Sequence, residues 1–291
     1  MVKRITRCRI CLGSVLRPFF DLGRQPFSHT LYKAIPHREH RYPLALVWCK
    51  RCALVQLNHT AEPEELFSHY RWVTGTSRLA QNFALLFADE LTKRTIGAQG
   101  GFVLEVASND GTFLRPFVKR GERVLGIDPA RNIVRAATAA GIASMAGFFG
   151  ARTAARVLRK HGPADMVIAR NVVPHVADPH DFVAGLARVL APEGTLAIEI
   201  QYAPIVLEEL HYDTIYHQHL CYFTLHTLER LLSEHGLYIF DLIQSPISGG
   251  AIVVYARKTR VRAKAVVARY RSRERALQAN TFRAWQRFAR R

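Results

Sequence analysis

Short apolar runs alternate with longer amphipathic segments through the central part of the chain, residues 96–256. Four runs have the length of buried strands: GFVLEVA, RVLGIDP, ADMVIAR and TLAIEI. Segments between them, such as TFLRPFVKRG, ARNIVRAATAAG and DPHDFVAGLARVLAPEG, have helical character. Two later runs, LYIFDLI and GGAIVVYARK, extend the set of strands. Strands that alternate with helices predict a parallel sheet covered on both faces, so the pattern indicates an α/β domain.

The pattern changes on both sides of this domain. Residues 1–60 combine Pro and Arg with short β-type runs such as YPLALVWC, which predicts a separate small module. Residues 61–95 begin with EPEELF, typical of a helix N-terminus, and continue with RLAQNFALLFADEL at helical spacing, which predicts a helical connector. Residues 257–291 predict a basic tail of one or two amphipathic helices. Its apolar positions are Val266, Val267, Tyr270, Phe282, Trp285 and Phe288.

Composition supports a folded protein. The chain has 291 residues, of which 49% are hydrophobic, enough for about two domains with a proper core. It contains no apolar run of the ~18 residues that a transmembrane helix needs. The start, MVKRITRCRI, lacks the apolar stretch of a signal peptide. We therefore expect a cytoplasmic protein with no membrane partner.

The net charge of +18 is concentrated at the two ends. Residues 257–291 hold 13 Lys and Arg against Glu274 alone, which gives +12, and residues 1–60 hold 11 against two acidic residues, which gives +9. The middle of the chain must then carry −3. A solvated basic helix face explains the tail, and binding of nucleic acid through the basic ends is the alternative.

Four of the five cysteines form two C-x-x-C pairs, Cys8 with Cys11 and Cys49 with Cys52. Two such pairs can supply the four thiolates of a tetrahedral structural zinc site. Disulfides are disfavoured in a cytosolic chain, and four unrelated cysteines are the remaining alternative. Three histidines lie between the pairs: His29, His37 and His40. The four sulfurs already complete a zinc shell, so we predict these cysteines as the ligands.

A ligand site is predicted where the first two strands of the α/β domain end, because ligands of open parallel sheets bind beyond the carboxyl ends of strands. The first strand runs into EVASNDG, Glu105–Gly111, a turn of small residues. The second ends in GIDP, where Asp128 can hold ribose hydroxyls. The glycine pattern of a dinucleotide site is absent, since Gly111 is the only glycine of the first turn.

This arrangement resembles the class I S-adenosylmethionine-dependent methyltransferases, which have a Rossmann-like α/β fold. The resemblance implies that Glu105 is the acidic residue of their first motif and that Asp128 binds ribose. It also implies that Arg170 and Asn171 lie in a loop that closes over the cofactor. Further cofactor-lining positions are Ala107, Ser108, Asn109 and Gly111. A nucleotide-free α/β domain is the alternative reading.

The ordered motifs of nearly the whole chain narrow the resemblance. The cysteine pairs are followed by LGRQPF, YPLALVWC, HYRWVTGTS, EVASNDG, PHV and DTIYHQHLCYF, in that order. This series resembles the sugar C-methyltransferases, which methylate a carbon of a nucleotide-linked 4-keto-deoxysugar. The resemblance runs from about Cys8 to about Ala256. It implies S-adenosylmethionine and Zn²⁺ as cofactors and a small-molecule substrate.

The segment DTIYHQHLCYF, residues 213–223, is dense in groups that carry protons. A carbon beside a ketone becomes a nucleophile only after a base removes its proton and the enolate oxygen is stabilised. The resemblance implies that His219 is this base, and a neutral histidine suits that role. Around the sugar and the enolate the family implies Tyr216, His175 and Tyr70. His217 is expected to point away from the site, and Cys221 to be packed.

The chain departs from the family pattern at three places. Gln218 stands where the family usually has Glu, so it can hydrogen-bond a hydroxyl but holds no charge. The segment Ser248–Ala251 replaces a His-Gly-Gly-Ser sequence. Family members also continue into a further domain that helps to enclose the nucleotide sugar, so a partner that replaces this domain is an alternative.

Two other functions stay open on the sequence alone. A zinc module ahead of a methyltransferase domain also occurs in RNA methyltransferases, and the basic ends suit RNA, although no Asn-Pro-Pro-aromatic loop is present. The departures at Gln218 and Ser248 favour instead a degenerate protein that binds the cofactor without transferring its methyl group.

Overall fold

The computed structural model describes residues 2–28, 39–97, 100–247 and 249–291. Ser248 and the candidate ligands His29 and His37 lie outside these ranges. Within them, no helix combines the length and the apolar composition needed to cross a membrane.

The N-terminal part consists of short antiparallel strands. They are β1 (Val2–Arg4), β2 (Leu16–Gln25), β3 (Tyr42–Cys49), β4 (Val55–Leu57) and β5 (His59–Ala61). Strand β1 pairs with β5, while β2, β3 and β4 form one sheet. The predicted run YPLALVWC is confirmed as β3.

Two helices lead from this part to the α/β domain: α1 (Pro63–Phe67) and α2 (Arg78–Lys93), with a 3-10 turn at Thr74–Thr76 between them. The helical prediction for this segment is confirmed. The side chain of Ser77 caps α2 by accepting a hydrogen bond from the Ala80 amide. The apolar face of α2 is buried against the central sheet, so the helix belongs to the core of the α/β domain rather than to a free connector.

The α/β domain alternates strands and helices as predicted. Its first half comprises β6 (Phe102–Val106), α3 (Arg115–Lys119), β7 (Arg123–Asp128), α4 (Arg131–Ala139), β8 (Ser144–Ala146), α5 (Ala151–His161), β9 (Ala164–Arg170), α6 (Pro179–Val189) and β10 (Leu190–Gln201). The second half comprises α7 (Ala203–Glu209), β11 (Cys221–Tyr222), α8 (Leu225–Ser233), β12 (Tyr238–Gln244) and β13 (Ala251–Arg257). Short 3-10 turns lie at Val173–His175 and Tyr212–Thr214.

The central sheet has seven strands in the order β12-β13-β10-β9-β6-β7-β8. The strands from β6 to β10 are parallel, whereas β13 runs antiparallel to both β10 and β12. The prediction of a parallel sheet therefore holds for five strands, and the sheet as a whole is mixed. Strand β8 was not predicted, because its three residues, SMA, form no apolar run.

Strand β11 does not belong to the central sheet. It pairs antiparallel with β4, so the sheet of the N-terminal part has the order β11-β4-β3-β2. Cys221 lies opposite Gln56, and Tyr222 lies opposite Val55. The predicted proton-carrying segment is thus attached to the cysteine-containing part of the chain, which the sequence did not indicate.

The basic tail forms two helices, α9 (Ala265–Ala276) and α10 (Phe282–Arg290), as predicted. Trp285 and Phe288 of α10 are buried, and their rings contact Phe19 and Phe20 of β2. The apolar face of α10 thus covers the N-terminal sheet, which leaves its arginines on the outside.

Glu274, the only acidic residue of the tail, is buried and ties α9 to the α/β domain. Its carboxylate accepts hydrogen bonds from the Tyr202 hydroxyl, at 2.9 Å, and from the main-chain amides of Leu225 and His226. The two amides belong to the first turn of α8, where a negative charge is favourable. The tail is therefore anchored next to the strand β11.

Candidate active site and metal centre

The four cysteines of the two C-x-x-C pairs converge in one buried cluster. Their sulfur atoms all lie within 4.8 Å of one another, with Cys8 3.5 Å from Cys52 and Cys11 3.4 Å from Cys49. Each pair sits on a tight turn, in which the carbonyl of the first cysteine accepts the amide of the residue after the second cysteine. Leu12 and Ala53 occupy those positions, both with positive φ, 57° and 65°.

Zinc fits this cluster. Four thiolates around a tetrahedral Zn²⁺ at ~2.3 Å from each sulfur lie ~3.8 Å apart, close to the distances seen here. Because four sulfurs complete the shell and no position is left open, the ion is structural rather than catalytic. His40, the one described member of the three candidate histidines, is exposed, and the cluster found among the described residues contains only the cysteines.

The loop between β6 and α3 provides a backbone cradle at the carboxyl end of the parallel strands. Ala107, Asn109 and Gly111 all have positive φ, at 56°, 50° and 74°. Gly126 of the neighbouring β7 has no Cβ, and an added one would lie 2.5 Å from Oγ of Ser108. The loop therefore packs directly on the backbone of β7.

Asp128 lies at the end of β7 and faces this loop. Its Oδ2 accepts a hydrogen bond from the main-chain N–H of Asn109, and its Oδ1 accepts one from the main-chain N–H of Ala130, both at 2.9 Å. Each carboxylate oxygen keeps a second lone pair for a ligand hydroxyl. Burial raises the pKa of Asp128, and the two amide hydrogen bonds oppose that shift.

Glu105 lies deeper than a ligand-contacting residue. Its side chain is 2% exposed, and its Oε2 has no hydrogen-bond partner among the described residues. Burial raises its pKa to about 8, and the positive charge of Arg170 opposes this shift. The carboxyl group therefore shapes the site from beneath the cradle, largely as the neutral acid near pH 7.

The expectation that Arg170 lies in a loop over the cofactor is wrong. Arg170 is the last residue of β9, and its guanidinium forms a 2.6 Å ion pair with Glu199, its register neighbour on β10. The same group lies over the ring of Phe113. Asn171 does follow the strand; its amide donates to the Glu199 carbonyl at 2.8 Å, and its φ is +48°.

A segment before α2, residues 70–76, lies against the cradle. The side chain of Asn109 accepts a hydrogen bond from the main-chain N–H of Thr74 at 2.9 Å. It also donates one to the Trp72 carbonyl at 3.0 Å. Farther along, the side chain of Asn132 in α4 donates to the Tyr70 carbonyl at 2.7 Å and accepts the Tyr70 amide at 3.2 Å. We call residues 70–76 the strap. The attachment through Asn132 was missed, because an Asn on a helix surface carries no distinguishing signal in a single sequence.

The proton-carrying segment forms a compact group around His219. Nδ1 of His219 lies 2.7 Å from the Thr214 carbonyl, so Nδ1 carries the proton that this carbonyl accepts. Nε2 is then unprotonated in the neutral ring, and the Tyr216 hydroxyl donates to it at 2.7 Å. The arrangement fixes one tautomer with its lone pair directed at Tyr216.

His175 and Tyr70 complete the group. The rings of His175 and His219 meet edge to face, with centroids 4.9 Å apart, and Nδ1 of His175 lies 2.9 Å from the main-chain carbonyl of Gln218. The ring of Tyr70 lies 6.3 Å from that of Phe67, which in turn lies 5.9 Å from the ring of His175. Burial and then the charge of Asp128 raise the pKa of Tyr70. The structure thus brings together four of the five predicted catalytic side chains.

Burial keeps both histidines neutral. It lowers the pKa of His219 to about 3, helped by the nearby His175, and the pKa of His175 to about 4. The carbonyl of Thr214 opposes the first shift, and main-chain groups of Gln218 and Asn171 oppose the second. Burial likewise raises the pKa of the Tyr216 hydroxyl, which therefore keeps its proton.

The fifth predicted catalytic residue, Gln218, contacts this group through its main-chain carbonyl, which lies 2.9 Å from Nδ1 of His175. It is 5% exposed, and its Nε2 has no hydrogen-bond partner among the described residues. His217 turns away from His219, as expected, and packs its ring edge to face on Phe27. Cys221 is buried, which raises the pKa of its thiol to about 12 and agrees with a packing role.

Comparison with known proteins agrees with this architecture. Residues 8–67 match the family model of a zinc binding domain, and residues 75–242 match that of a methyltransferase domain. The fold resembles a chain of the complex between the Haloferax volcanii Trm112 methyltransferase activator and a methyltransferase. The two share 16% identity over 64% of this chain and 95% of that chain, with a TM-score of 0.50.

Among curated proteins, C-methyltransferase NovU of Streptomyces niveus is 33% identical over 88% of this chain and 61% of its own length. An ubiquinone biosynthesis O-methyltransferase of Caulobacter sp. (strain K31) is 32% identical over 34% of this chain and 40% of its own length. The chain thus spans about three fifths of NovU.

The fold, the cradle and the four-cysteine cluster define a class I S-adenosylmethionine-dependent methyltransferase that carries a zinc-binding module. Its cofactors are S-adenosylmethionine and Zn²⁺. Within this class, the chain belongs to the sugar C-methyltransferase family that its motifs indicated.

Proposed function

We propose that this methyltransferase transfers a methyl group to a carbon next to the ketone of a nucleotide-linked deoxysugar. The observation that carries the proposal is the oriented pair of His219 and Tyr216. A buried, neutral imidazole whose Nδ1 proton is committed to the Thr214 carbonyl presents a basic Nε2 to the site. Enolisation of a ketone needs a base of this kind together with a hydroxyl donor.

The Tyr216 hydroxyl has two roles in this mechanism. Before the acceptor binds, it donates to Nε2 of His219. When the ketone oxygen arrives, the hydroxyl turns to that oxygen, which polarises the carbonyl and frees the Nε2 lone pair. The C–H bond beside the ketone then breaks, its proton goes to Nε2, and its electron pair forms the enolate that Tyr216 stabilises.

The low pKa of His219 is consistent with this role. Protonation of Nε2 is unfavourable in the resting site, but it occurs here together with formation of a negative enolate a short distance away. The carbonyl of Thr214, already bound to Nδ1–H, stabilises the resulting imidazolium. Neutral His175, held by the Gln218 carbonyl, adds no competing positive charge.

The cofactor side of the site consists of the cradle and Asp128. S-adenosylmethionine, when bound, supplies an electrophilic methyl group for a carbon nucleophile. Asp128 would accept its ribose hydroxyls, and the cradle residues Ala107, Ser108, Asn109 and Gly111 would line it. Tyr70 belongs to the strap that Asn132 holds, and burial and then the charge of Asp128 raise its pKa.

The departure at Gln218 affects this mechanism less than the family pattern implies. The contact with His175 uses the main-chain carbonyl of residue 218, which Gln and Glu share. Gln218 lacks the charge that a Glu would carry at this position. A neutral amide suits the site because the side chain is buried, and burying an unpaired charge is costly. The substitution therefore leaves the orientation of His175 in place.

The test is transfer of labelled methyl from S-adenosylmethionine to a panel of nucleotide-linked 4-keto-deoxysugars, with the product mass and its carbon NMR spectrum. We expect a one-methyl gain on carbon and its loss in His219→Gln. His226→Gln is the matched control, because His226 is exposed in the same part of the chain. Cofactor binding without transfer to any acceptor would instead identify a cofactor-binding relative.

A second measurement separates proton removal from methyl transfer. In D₂O with S-adenosylhomocysteine, the wild type should exchange the proton beside the ketone, and His219→Gln should not. Methyl transfer to oxygen, or exchange that is unaffected by His219→Gln, would contradict the proposed base.

A further inference from the structure

The His219 segment is attached to the zinc module by main-chain hydrogen bonds. Strand β11 begins two residues after His219 and pairs with β4, so that Cys221 lies opposite Gln56. One step closer to the histidine, the Leu220 carbonyl accepts the amide of Leu57 at 2.9 Å. Leu220 is the direct neighbour of His219. The position of Leu57 therefore fixes the main chain from which the His219 side chain extends.

Arg9 binds the carbonyl of Leu57, the residue whose amide binds Leu220. The Nη1 group of Arg9 donates to the Leu57 carbonyl at 2.7 Å and to Oε1 of Gln56 at 3.2 Å. Its Nη2 donates to the His59 carbonyl, at 3.1 Å, and to Oγ1 of Thr60, at 2.7 Å. The planar guanidinium thus bridges β4 and β5 in a way that an ammonium group cannot reproduce.

Arg9 is itself positioned by the metal centre. It lies between the ligands Cys8 and Cys11, and its side chain is buried, with the residue 6% exposed. Its main-chain amide also donates to Oε1 of Gln56, at 3.1 Å. Closing the first C-x-x-C turn around zinc therefore fixes the Arg9 backbone, and the Arg9 side chain fixes the two strands beside it.

The internal contacts of the His219 segment cannot replace this connection. The hydrogen bonds of His219 to Thr214 and Tyr216 stay within the segment and move with it. Among the described residues, anchorage to the rest of the protein comes from β4, from the contact of His217 with the Tyr42 carbonyl at 3.3 Å, from His175, whose Nδ1 lies 2.9 Å from the Gln218 carbonyl, and from a bridge between Tyr202 and Phe223. Two of these four attachments belong to the zinc module.

We propose that Arg9 is a positioning residue that couples the zinc centre to the placement of His219. The inference deepens the proposed function, because it rests on the role given there to His219. Zinc then does more than stabilise a small module: through Arg9, Leu57 and Leu220 it sets the geometry of the proton-transfer group.

The experiment compares Arg9→Lys with Arg51→Lys in the full chain. Arg51 lies between the two cysteines of the second C-x-x-C pair, where it is exposed and donates to the Cys11 carbonyl at 3.1 Å. Among the described residues it has no hydrogen bond to β4. Zinc content, affinity for S-adenosylhomocysteine and the ¹⁵N spectrum of labelled histidine rings are measured for each variant. The His219 signal is identified by its absence in His219→Gln.

In the wild type and in Arg51→Lys, we expect a single His219 tautomer with the proton on Nδ1. Arg9→Lys should retain zinc and bind S-adenosylhomocysteine within about twofold of wild type, yet show a shifted His219 signal. Turnover should fall roughly 10- to 100-fold, as expected for a small displacement of a catalytic group. Unchanged His219 signals in zinc-loaded Arg9→Lys would overturn the proposal.

Thr60→Val provides a milder variant in case Arg9→Lys does not fold. It removes one acceptor of the guanidinium and should shift the His219 signal in the same direction by less; no shift would count against the coupling. Because the ring spectrum needs no substrate, the inference can be judged even where no methyl transfer is found. If Arg9→Lys shifts the His219 signal as expected but the wild type shows no turnover, only the proposed function is refuted.

Discussion

The Tyr216 hydroxyl lies 2.7 Å from Nε2 of His219 and donates a hydrogen bond to it. Because Nδ1 of the same ring is committed to the Thr214 carbonyl, this hydrogen bond has a defined direction, with Tyr216 as the donor and Nε2 as the acceptor. This direction makes the two side chains separable by mutation, one as proton acceptor and the other as hydrogen-bond donor.

Tyr216→Phe should lower kcat about 100-fold, because it removes the donor that stabilises the enolate while keeping the ring against His219. Cofactor affinity should stay near the wild-type value, since in the part of the chain that the structure describes no hydrogen bond joins Tyr216 to the cradle. Steady-state kinetics and calorimetric binding of S-adenosylhomocysteine measure both quantities. Tyr212→Phe, at an exposed tyrosine of the same region, is the control. Equal kcat in the two variants would rule out the donor role.

The strap should depend on Asn132. Asn132→Ala removes both hydrogen bonds to the Tyr70 main chain, and two such bonds correspond to roughly 10- to 30-fold in binding. We expect cofactor affinity to fall by this factor with little change in overall stability. Titration followed by the fluorescence of exposed Trp72 gives the measurement. Arg131→Ala, on an exposed residue of the same helix, should bind normally; matching losses in both variants would contradict the assignment.

Gly126→Ala should displace the cofactor cradle. The added methyl would lie 2.5 Å from Oγ and 2.9 Å from Cβ of Ser108, so the loop must move away from β7. We expect weaker cofactor binding and a loss of about 1–3 kcal/mol in the free energy of unfolding. Calorimetry and denaturant unfolding report the two effects.

A compensating variant checks that explanation. Adding Ser108→Gly to Gly126→Ala removes both clashing atoms and should restore much of the cofactor affinity. If the double variant binds no better than Gly126→Ala alone, steric displacement of the loop is not the cause.

Zinc binding should require the four clustered thiols and not the fifth. The purified protein should contain one zinc per chain by elemental analysis, and Cys52→Ser should lose most of it, because a hydroxyl is a poor replacement for a thiolate ligand. Cys221→Ser should retain the metal. Zinc loss in Cys221→Ser, or full zinc content in Cys52→Ser, would refute the ligand assignment.

Stability should fall as the pH decreases below the ordinary pKa of histidine. In the folded protein the pKa values of His175 and His219 are lowered to about 4 and about 3, whereas in the unfolded chain they are ~6.5. Between these limits the unfolded state binds more protons, so this contribution is complete above ~6.5 and declines towards pH 4 and then pH 3. At pH 5 unfolding should take up about one proton less in His175→Asn than in the wild type, as the pH dependence of denaturant midpoints would show.

Much of the fold follows from local patterns. The apolar runs of β6, β7, β9 and β10 are long enough to be recognised. The spacing of the cysteines in two C-x-x-C pairs predicts that their four sulfur atoms meet at one site. What the sequence does not give is register between distant strands. Arg170 was expected in an open loop because its partner, Glu199, is on another strand, and only the alignment of β9 with β10 makes them neighbours.

The site shows the same division. The resemblance supplied His219, Tyr216, His175 and Tyr70, and the structure places them together. The groups that orient them are the Thr214 and Gln218 carbonyls and the Asn132 amide. A main-chain carbonyl has no sequence signature, and a two-residue strand such as β11 is too short to produce a periodic pattern.

The pairing of β11 with β4 affects the order in which the enzyme folds during translation. The cysteine-containing strands emerge first and can close around their metal, but β4 lacks a neighbour on one side until nearly the whole α/β domain has been translated. Contacts between such distant parts of a chain form late and slowly in folding. The unfinished chain would therefore be inert, and the proton-transfer group would assemble in one of the last steps of maturation.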